Sequence, residues 1–384
     1  MDATPRIGFD PLAAIRGEAR DDAADSACDL LLTGTVFQDI IFTGLDRSPE
    51  PGTEVWSQGM GTCPGGVANQ AIAAARLGLR TSLAAAFGDD GYGDFNWRIL
   101  ESQEHVDLSL SRRFEGWHSP VTVSLCVDQD RSMVTHGHPP PMSASELIGD
   151  PPKALAAVAD LGEEPEPWML AARKAGVKLF GDAGWDPTGA WSSKRLDQLS
   201  NFHAFMPNQR EAMAFTGKDN PWSALYTLAD RVPVAVVTLG AQGAMAVDSE
   251  TGEEEWVPSL PVTAYDPTGA GDCFGAAFVV GCLAGWPLGD RLRFCQSLRV
   301  ARGSGSGRLA GCARLGRHRR LVAASQRPEG AAVEPMAQTV RFPRGHCGGC
   351  PAGGPTSCNG HDRPQLRRLS GAPPSRTTRG PWRH

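Results

Sequence analysis

Short apolar runs alternate with amphipathic stretches along most of the chain. The runs end at a glycine or a polar residue, as buried strands do. They cover residues 28–33, 81–87, 121–127, 177–180, 204–206 and 234–238. Between the first two, residues 67–77 have helical spacing that stops at Gly78. This alternation predicts an open, mostly parallel α/β sheet, in which ligands bind beyond the carboxyl ends of the strands.

One glycine-rich turn carries the most specific chemical signal. It reads Asp266-Pro267-Thr268-Gly269-Ala270-Gly271-Asp272, and the apolar residues 273–283 behind it predict a helix. The free backbone N–H groups of residues 269–271 would face a bound phosphate, with Asp272 beside it as a base. A proline-led turn with an acid in the first helical turn fits the same residues. The turn alone therefore leaves both interpretations open.

Three further turns follow predicted strands or open a predicted helix. They read Gly65-Gly66-x-x-Asn69, Asn208-x-x-Glu211 and Thr238-x-Gly240-x-x-Gly243. Taken singly, each is explained more simply by a capped helix or a glycine turn than by a binding site.

In this order, the motifs resemble those of the PfkB family of sugar and nucleoside kinases, which have the ribokinase-like fold. The first family signature matches Gly65-Gly66-x-x-Asn69 with Leu77-Gly78, and the second matches residues 266–272. The family also has segments like Gly34 with Asp39 and like Gly88-Asp89-Asp90-Gly91-Tyr92-Gly93. The resemblance covers about residues 29–294. It implies a three-layer α/β/α fold with a mostly parallel central sheet and a small β lid, from about residues 36–60 and 112–135.

The resemblance implies ATP-dependent phosphorylation of a hydroxyl group of a small sugar. Asp272 would take the proton of the attacking hydroxyl, and the N–H groups of the preceding residues would stabilise the transferred phosphoryl group. Those N–H groups belong to Gly269, Ala270 and Gly271. The residues that would hold the acceptor's hydroxyl groups are Asp39, Gly65, Gly66 and Asn69.

A nucleotide and cations are also implied by the resemblance. The residues expected to line the ATP site are Thr238, Gly240 and Gly243. Asn208 and Glu211 would organise Mg²⁺ through water, since this ion keeps much of its hydration shell. Asp266 and Thr268 fall where many members bind a monovalent cation such as K⁺. In many relatives the lid also forms a homodimer.

The identity of the acceptor is left open by these residues. Residues 182–186, Asp-Ala-Gly-Trp-Asp, lie where relatives contact substrate or phosphate, but they match no pattern for one sugar. Ribose, fructose, a deoxyketo acid and a nucleoside remain candidates. A nucleoside kinase of the same family is therefore an alternative to a sugar kinase.

Composition divides the chain near Cys295. Residues 295–384 contain 16 Arg, no Lys and three acids, a net charge of +13, so that residues 1–294 carry −19 of the total of −6. We expect residues 1–27 to be mobile, residues 28–294 to form the kinase domain and residues 295–384 to be a disordered tail.

The tail departs from the family where relatives close the adenine pocket. Arg, Gly, Pro and Ala without Lys, Ile or Tyr are typical of GC-rich DNA that is read out of frame. With synonymous codons chosen freely, the neighbouring frame from Cys295 gives the family's Ala-Asn opening and a later glycine loop. We interpret the tail as a frameshift. A catalytically impaired, sugar-binding relative is then a second functional alternative.

Other interpretations of the tail are weaker. Cys347-x2-Cys350-x7-Cys358-x2-His361 could bind Zn²⁺, but the spacing lies outside the common patterns. The Arg excess lacks the interleaved aromatic residues of a nucleic-acid interface. Without a leader or a membrane-length apolar run, the sequence predicts a cytoplasmic protein.

Overall fold

The structure, a computed structural model, describes residues 27–127, 130–184, 189–260 and 269–303. Its main sheet has eight strands in the order β14-β13-β12-β11-β10-β9-β1-β4. These are β1 Cys28–Thr33, β4 Thr81–Ala84, β9 Ala154–Asp160, β10 Lys178–Asp182, β11 Ala204–Phe205, β12 Val234–Thr238, β13 Ala244–Asp248 and β14 Glu253–Val257. The strands from β4 to β12 pair in parallel, and β13 and β14 are antiparallel. The predicted, mostly parallel α/β sheet is confirmed.

A second sheet of four strands forms the lid, in the order β3-β2-β7-β8. Its strands are β2 Val36–Leu45, β3 Gly59–Gly66, β7 Val121–Val127 and β8 Asp130–His136. The expected second lid segment, from about residue 112, begins too early. Arg112–Phe114 is β6, which pairs with β5, Ala86–Gly88, in a separate two-stranded sheet.

Eight α-helices connect or flank the described strands. They are α1 Val67–Leu77, α2 Gly91–Arg98, α3 Ala144–Ile148, α4 Pro167–Lys174, α5 Gln209–Thr216, α6 Pro221–Ala229, α7 Ala270–Leu283 and α8 Leu288–Gly303. A π-helical turn, Ile99–Gln103, continues α2, and Ser193–Asn201 and Gly240–Gln242 are 3₁₀ helices. None of the described helices is both long enough and apolar enough to cross a membrane.

Each face of the main sheet has its own hydrophobic core. Leu30 and Leu32 of β1 point to the core that α1, α7 and α8 cover, whereas Leu31 points to the core under α4, α5 and α6. This alternation is the period of two that a strand imposes, so a strand buried on both faces is apolar throughout. Two helical layers around one sheet give the three-layer fold.

α8 crosses the predicted boundary at Cys295. Its inward face includes Leu292, Cys295 and Leu298, all of which are buried. The compositional break therefore falls inside a helix that still packs on the sheet. Residues 304–384, with the zinc-like cysteines, and residues 1–26 lie outside the described part of the chain.

Candidate active site

Polar residues gather at the carboxyl edge of the main sheet, as the alternation predicts. β9 ends at Asp160 and β10 ends at Asp182, and the two residues are direct neighbours in the parallel register. Asn208 follows β11 and forms an isolated parallel bridge with Thr238 at the end of β12. Four consecutive strands of the sheet therefore present functional groups at one edge.

The lid brings Asp39 against the first glycine motif. Phe37 of β2 pairs with Gly65 of β3, and Asp39 itself is only 4% exposed. A methyl group on Gly65 would lie 2.1 Å from Asp39 Oδ2, so the carboxylate occupies the space that a side chain would fill. Gly66 has φ +61°, and a methyl group there would lie 2.3 Å from the Thr35 carbonyl oxygen. Both glycines are required by this close approach.

The second glycine motif begins α7 next to α1. Gly269 precedes the helix in the left-handed conformation, with φ 70°, and Asp272 lies in the first turn. A methyl group on Gly275 of α7 would come within 2.5 Å of Gln70 Nε2 of α1. The first halves of the two helices are therefore in close contact. Asn69 is adjacent to Gln70 and is 3% exposed. The predicted acceptor residues and the predicted base thus lie at the starts of two packed helices.

Asn208 and Glu211 form a reciprocal cap at the start of α5. Asn208 Oδ1 accepts hydrogen bonds from the N–H groups of Arg210 and Glu211, and Glu211 Oε2 accepts one from the Asn208 N–H at 2.8 Å. This capping box gives both residues a structural role, whatever else they bind. Burial, helped by the charge of Asp182 and opposed by the Asn208 N–H, raises the pKa of Glu211 to about 7.

The two glycines after β12 occupy their positions for different structural reasons. Gly243 has φ 105°, and a methyl group there would lie 2.0 Å from the Val257 carbonyl oxygen. Gly240 has φ 61°, and a methyl group there would have no atom of the described residues within 4 Å, so only the backbone conformation favours glycine. Thr238 donates its N–H to the Pro207 carbonyl, which places this loop beside the Asn208 cap.

A cavity of about 240 Å³ lies beyond the ends of β1, β4 and β9. Thr35, Trp117, His138 and Asp160 are among its lining residues. Protein around the Asp160 carboxyl group removes water and, with the charges of Asp182 and Glu166, raises its pKa to about 7. Asp160 nevertheless keeps exposed surface in the cavity. Burial likewise raises the pKa of Asp182.

Some predicted residues are not placed, and some placed residues were not predicted. Asp266 and Thr268, the expected ligands of a monovalent cation, lie outside the described residues. Asp160 was missed because its strand, Ala-Leu-Ala-Ala-Val-Ala-Asp, is rich in alanine and has little β propensity. The available signal was an acid at the end of an apolar run. Within the described ranges, no group of three or more His, Cys, Asp or Glu residues is arranged to hold a metal ion.

Comparison with known proteins points to one family. Residues 30–155 and 166–298 match the family described as pfkB family carbohydrate kinase. A fructokinase of Klebsiella pneumoniae is 30% identical over 247 residues, which are 58% of this chain and 76% of the relative. A nucleoside kinase of Methanothermobacter thermautotrophicus is 29% identical over 280 residues, 70% of this chain and 87% of the relative.

The fold is also found among solved structures. The ribokinase of Arabidopsis thaliana complexed with ribose and ATP superimposes with a TM-score of 0.60 at 24% identity. The match covers 74% of this chain and 95% of that one. At this identity the likeness shows the fold alone, and the fold is ribokinase-like.

Proposed function

This chain belongs to the pfkB family of carbohydrate kinases, and we propose that it transfers the γ-phosphoryl group of ATP to a hydroxyl group of a small sugar or sugar-like acceptor. The observation that carries the proposal is the pairing of two glycine-led helix starts. One faces the Asp39 carboxylate, and the other presents Asp272. A phosphoryl transfer needs such positioning of an acceptor beside an anion-stabilising turn.

The acceptor binds between the lid and the carboxyl edge of the sheet. Asp39 and Asn69 are both nearly enclosed by protein, and a few well-placed polar groups of this kind fix the orientation of a small polar ligand. Gly65 and Gly66 allow the acceptor to approach the backbone. The cavity at Asp160 lies at the same edge of the sheet and is lined by Gly34 and Thr35, which lead into the lid strand β2.

Asp272 acts as the base. It takes the proton of the acceptor hydroxyl as the oxygen attacks phosphorus and the bond to the ADP leaving group breaks. The N–H groups at residues 269–271 and the positive end of α7 stabilise the negative charge on the transferred phosphoryl oxygens. Outside the adjacent turns of α7, no atom of the described residues lies within 4 Å of the position that a side chain on Gly271 would take, which leaves room for the phosphoryl group.

ATP lies along the loop after β12, beside the Asn208 cap. Thr238, Gly240 and Gly243 line this side, and the loop conformation needs the latter two glycines. The residues that would fit a magnesium ion are Glu211 and Asp182, because burial raises the pKa of both carboxyl groups, the charge of Asp182 adds to the effect on Glu211, and a cation would favour the ionised forms. A magnesium ion held there would neutralise part of the phosphate charge.

Two alternatives are each supported by one observation. The nucleoside kinase relative matches along 87% of its length, which supports a nucleoside as the acceptor. An impaired enzyme is supported by Gln296, a buried side chain whose amide atoms have no partner in the described chain, just after the compositional break.

Turnover of ATP on a panel of ribose, fructose, a deoxyketo acid, cytidine and adenosine tests these proposals. We expect one class of acceptor to be phosphorylated, and Asp39→Asn to lower kcat/KM for it by about 10²-fold or more, since the substitution mispairs a buried hydroxyl contact. Asp29→Asn is the matched control, because Asp29 pairs with Arg80 at the opposite end of the sheet. ATP turnover on none of the acceptors would support the impaired enzyme. Activity unaffected by Asp39→Asn would refute the acceptor assignment.

A further inference from the structure

A second cavity, of about 580 Å³, lies between the lid and the start of α2. Its lining includes Gln38, Thr62, Asp90, Tyr92, His118 and His136. None of these residues takes part in the proposed phosphoryl transfer. The cavity is therefore distinct from the cavity at Asp160, with which it shares no lining residue.

Strand alternation separates this cavity from the acceptor residues. Gln38 pairs with Val121 on β7, and Val121 pairs with His136 on β8, so these three residues lie side by side on one face of the lid. All three line the cavity. Asp39, the next residue along β2, points to the opposite face and lies against Gly65. The lid sheet itself stands between the two sites.

Gln38 presents a hydrogen-bond acceptor without a donor. Its side chain is 2% exposed, and its Oε1 atom has no partner within the described residues. Its Nε2 atom donates to the Asp39 carbonyl oxygen at 3.3 Å, so the amide is held in place. A buried amide oxygen left unpaired is costly, and a ligand N–H or O–H group would remove that cost.

The other lining groups restrict the ligand's charge. Burial raises the pKa of Asp90, but hydrogen bonds from the N–H groups of Gly93 and Ser119 outweigh it and hold the pKa below its usual value. Asp90 is therefore an anion at neutral pH and repels a phosphate group. Tyr92 and the two histidines add flat rings against which a ligand ring can pack.

We propose that this cavity binds a nucleoside-like molecule, with hydroxyl or amino donors on an uncharged ring system and no phosphate group. A donor of the ligand pairs with Gln38 Oε1, and its ring packs against Tyr92. Gln38 donates to the backbone carbonyl oxygen of Asp39, the proposed acceptor residue. A ligand that binds Gln38 is therefore one residue away from the acceptor site.

Equilibrium dialysis with adenosine, without ATP, tests the proposal on full-length Asp39→Asn protein, in which the acceptor site is weakened. We expect about one equivalent of adenosine to bind, and AMP to bind at least about tenfold more weakly because of Asp90. Adding Gln38→Leu should weaken adenosine binding by about tenfold or more, because the substitution removes the hydrogen-bond acceptor Oε1 and keeps a side chain of similar volume.

A second pair of variants guards against a folding defect. Tyr92 is 45% exposed and Tyr226 on α6 is 44% exposed, so Tyr92→Ala and Tyr226→Ala are matched changes at the surface. Only Tyr92→Ala should weaken adenosine binding. The proposal is overturned if adenosine does not bind the Asp39→Asn protein, if neither Gln38→Leu nor Tyr92→Ala changes its binding, or if AMP binds equally well. A change of sedimentation mass in Tyr92→Ala, with adenosine binding intact, would make the cavity a subunit contact instead.

Discussion

α7 and α8 are consecutive helices on the same face of the sheet, yet they differ in how much of their surface is apolar and buried. α7 is apolar around most of its circumference, and Phe274 and Phe278 are fully enclosed between the sheet and its neighbours. α8 packs through a stripe at Leu288, Leu292 and Cys295, which follows helical spacing. A helix buried on all sides has to be apolar throughout, and α7 meets that condition.

The contrast within α8 begins at the compositional break. Before it, Arg291 Nη1 lies 3.7 Å from Asp248 Oδ2, an ion pair without a hydrogen bond, Arg291 Nε donates to the Trp286 carbonyl oxygen, and the Leu288 N–H group bonds to Glu253. After it, Gln296 is 1% exposed, and neither Nε2 nor Oε1 has a partner in the described chain. The family match ends two residues later, at residue 298. A mismatch of side chain and position coincides with the change of composition, which supports the frameshift interpretation.

The largest expected effect contrasts the first turns of these two helices. Asp272→Asn should lower kcat by about 10²- to 10⁴-fold, because a general base is lost while the shape of the side chain is retained. Asp290→Asn makes the same change in the first turn of α8, where Asp290 forms a surface pair with Arg293. We expect kcat of that control to stay within about twofold, since exposed pairs contribute little.

Steady-state kinetics with the accepted sugar or nucleoside measure both variants. An equal loss in the two variants would mean that helix stability, and not proton transfer, is the cause. Unchanged kcat in Asp272→Asn would remove the residue from the mechanism.

The next effect concerns stability at the mismatch. Gln296→Leu should raise the free energy of unfolding by about 1–3 kcal/mol, because a buried, unpaired amide is replaced by an apolar group of similar volume. Gln198→Leu is the matched control. Gln198 donates to the Glu163 carbonyl and accepts from Asn201, so the same change should lower stability by about 1 kcal/mol.

Urea unfolding of the full chain measures both variants. A loss of stability in Gln296→Leu would show that the amide has a partner and that α8 fits its site. It would also take away the structural support for the frameshift.

Local sequence patterns predict an element correctly where the apolar positions are periodic and a residue such as glycine marks the end of the element. α1 has the expected bounds because its apolar positions repeat and Gly78 caps it in the left-handed conformation. β9 could not be predicted, since its alanines suit a helix equally well and only its parallel neighbours β1 and β10 hold it extended. The glycine motifs could be located for a similar reason, because they are local signals, whereas the roles assigned to the site residues stay a prediction.

The environment of a side chain could not be predicted in the same way. The residues that lie beside Gln38 and Asp39 follow from the lid register, and the raised pKa of Glu211 depends on its burial and on the charge of Asp182 at the end of β10. Such proximity is created by the fold. The continuation of α8 past Cys295 is likewise set by packing and not by local composition.

The smallest expected effect contrasts Gln296 in α8, which is buried without a partner in the described chain, with Glu211, which is hydrogen-bonded but has a shifted pKa. Glu211 is an acid whose pKa, about 7, is raised above its ordinary value of 4.5. The folded state therefore favours the protonated form, so its contribution to stability is present below about pH 4.5 and is lost as pH rises through about 7.

Glu211→Gln keeps the capping box and removes this titration. We expect it to stabilise the protein by on the order of 1 kcal/mol at pH 8 relative to pH 5, after allowance for solvent screening. Thermal unfolding across this pH range measures the difference, with Glu146→Gln, in the exposed capping box of α3, as the control. If the two variants show the same pH dependence, burial beside Asp182 is not what raises the pKa of Glu211.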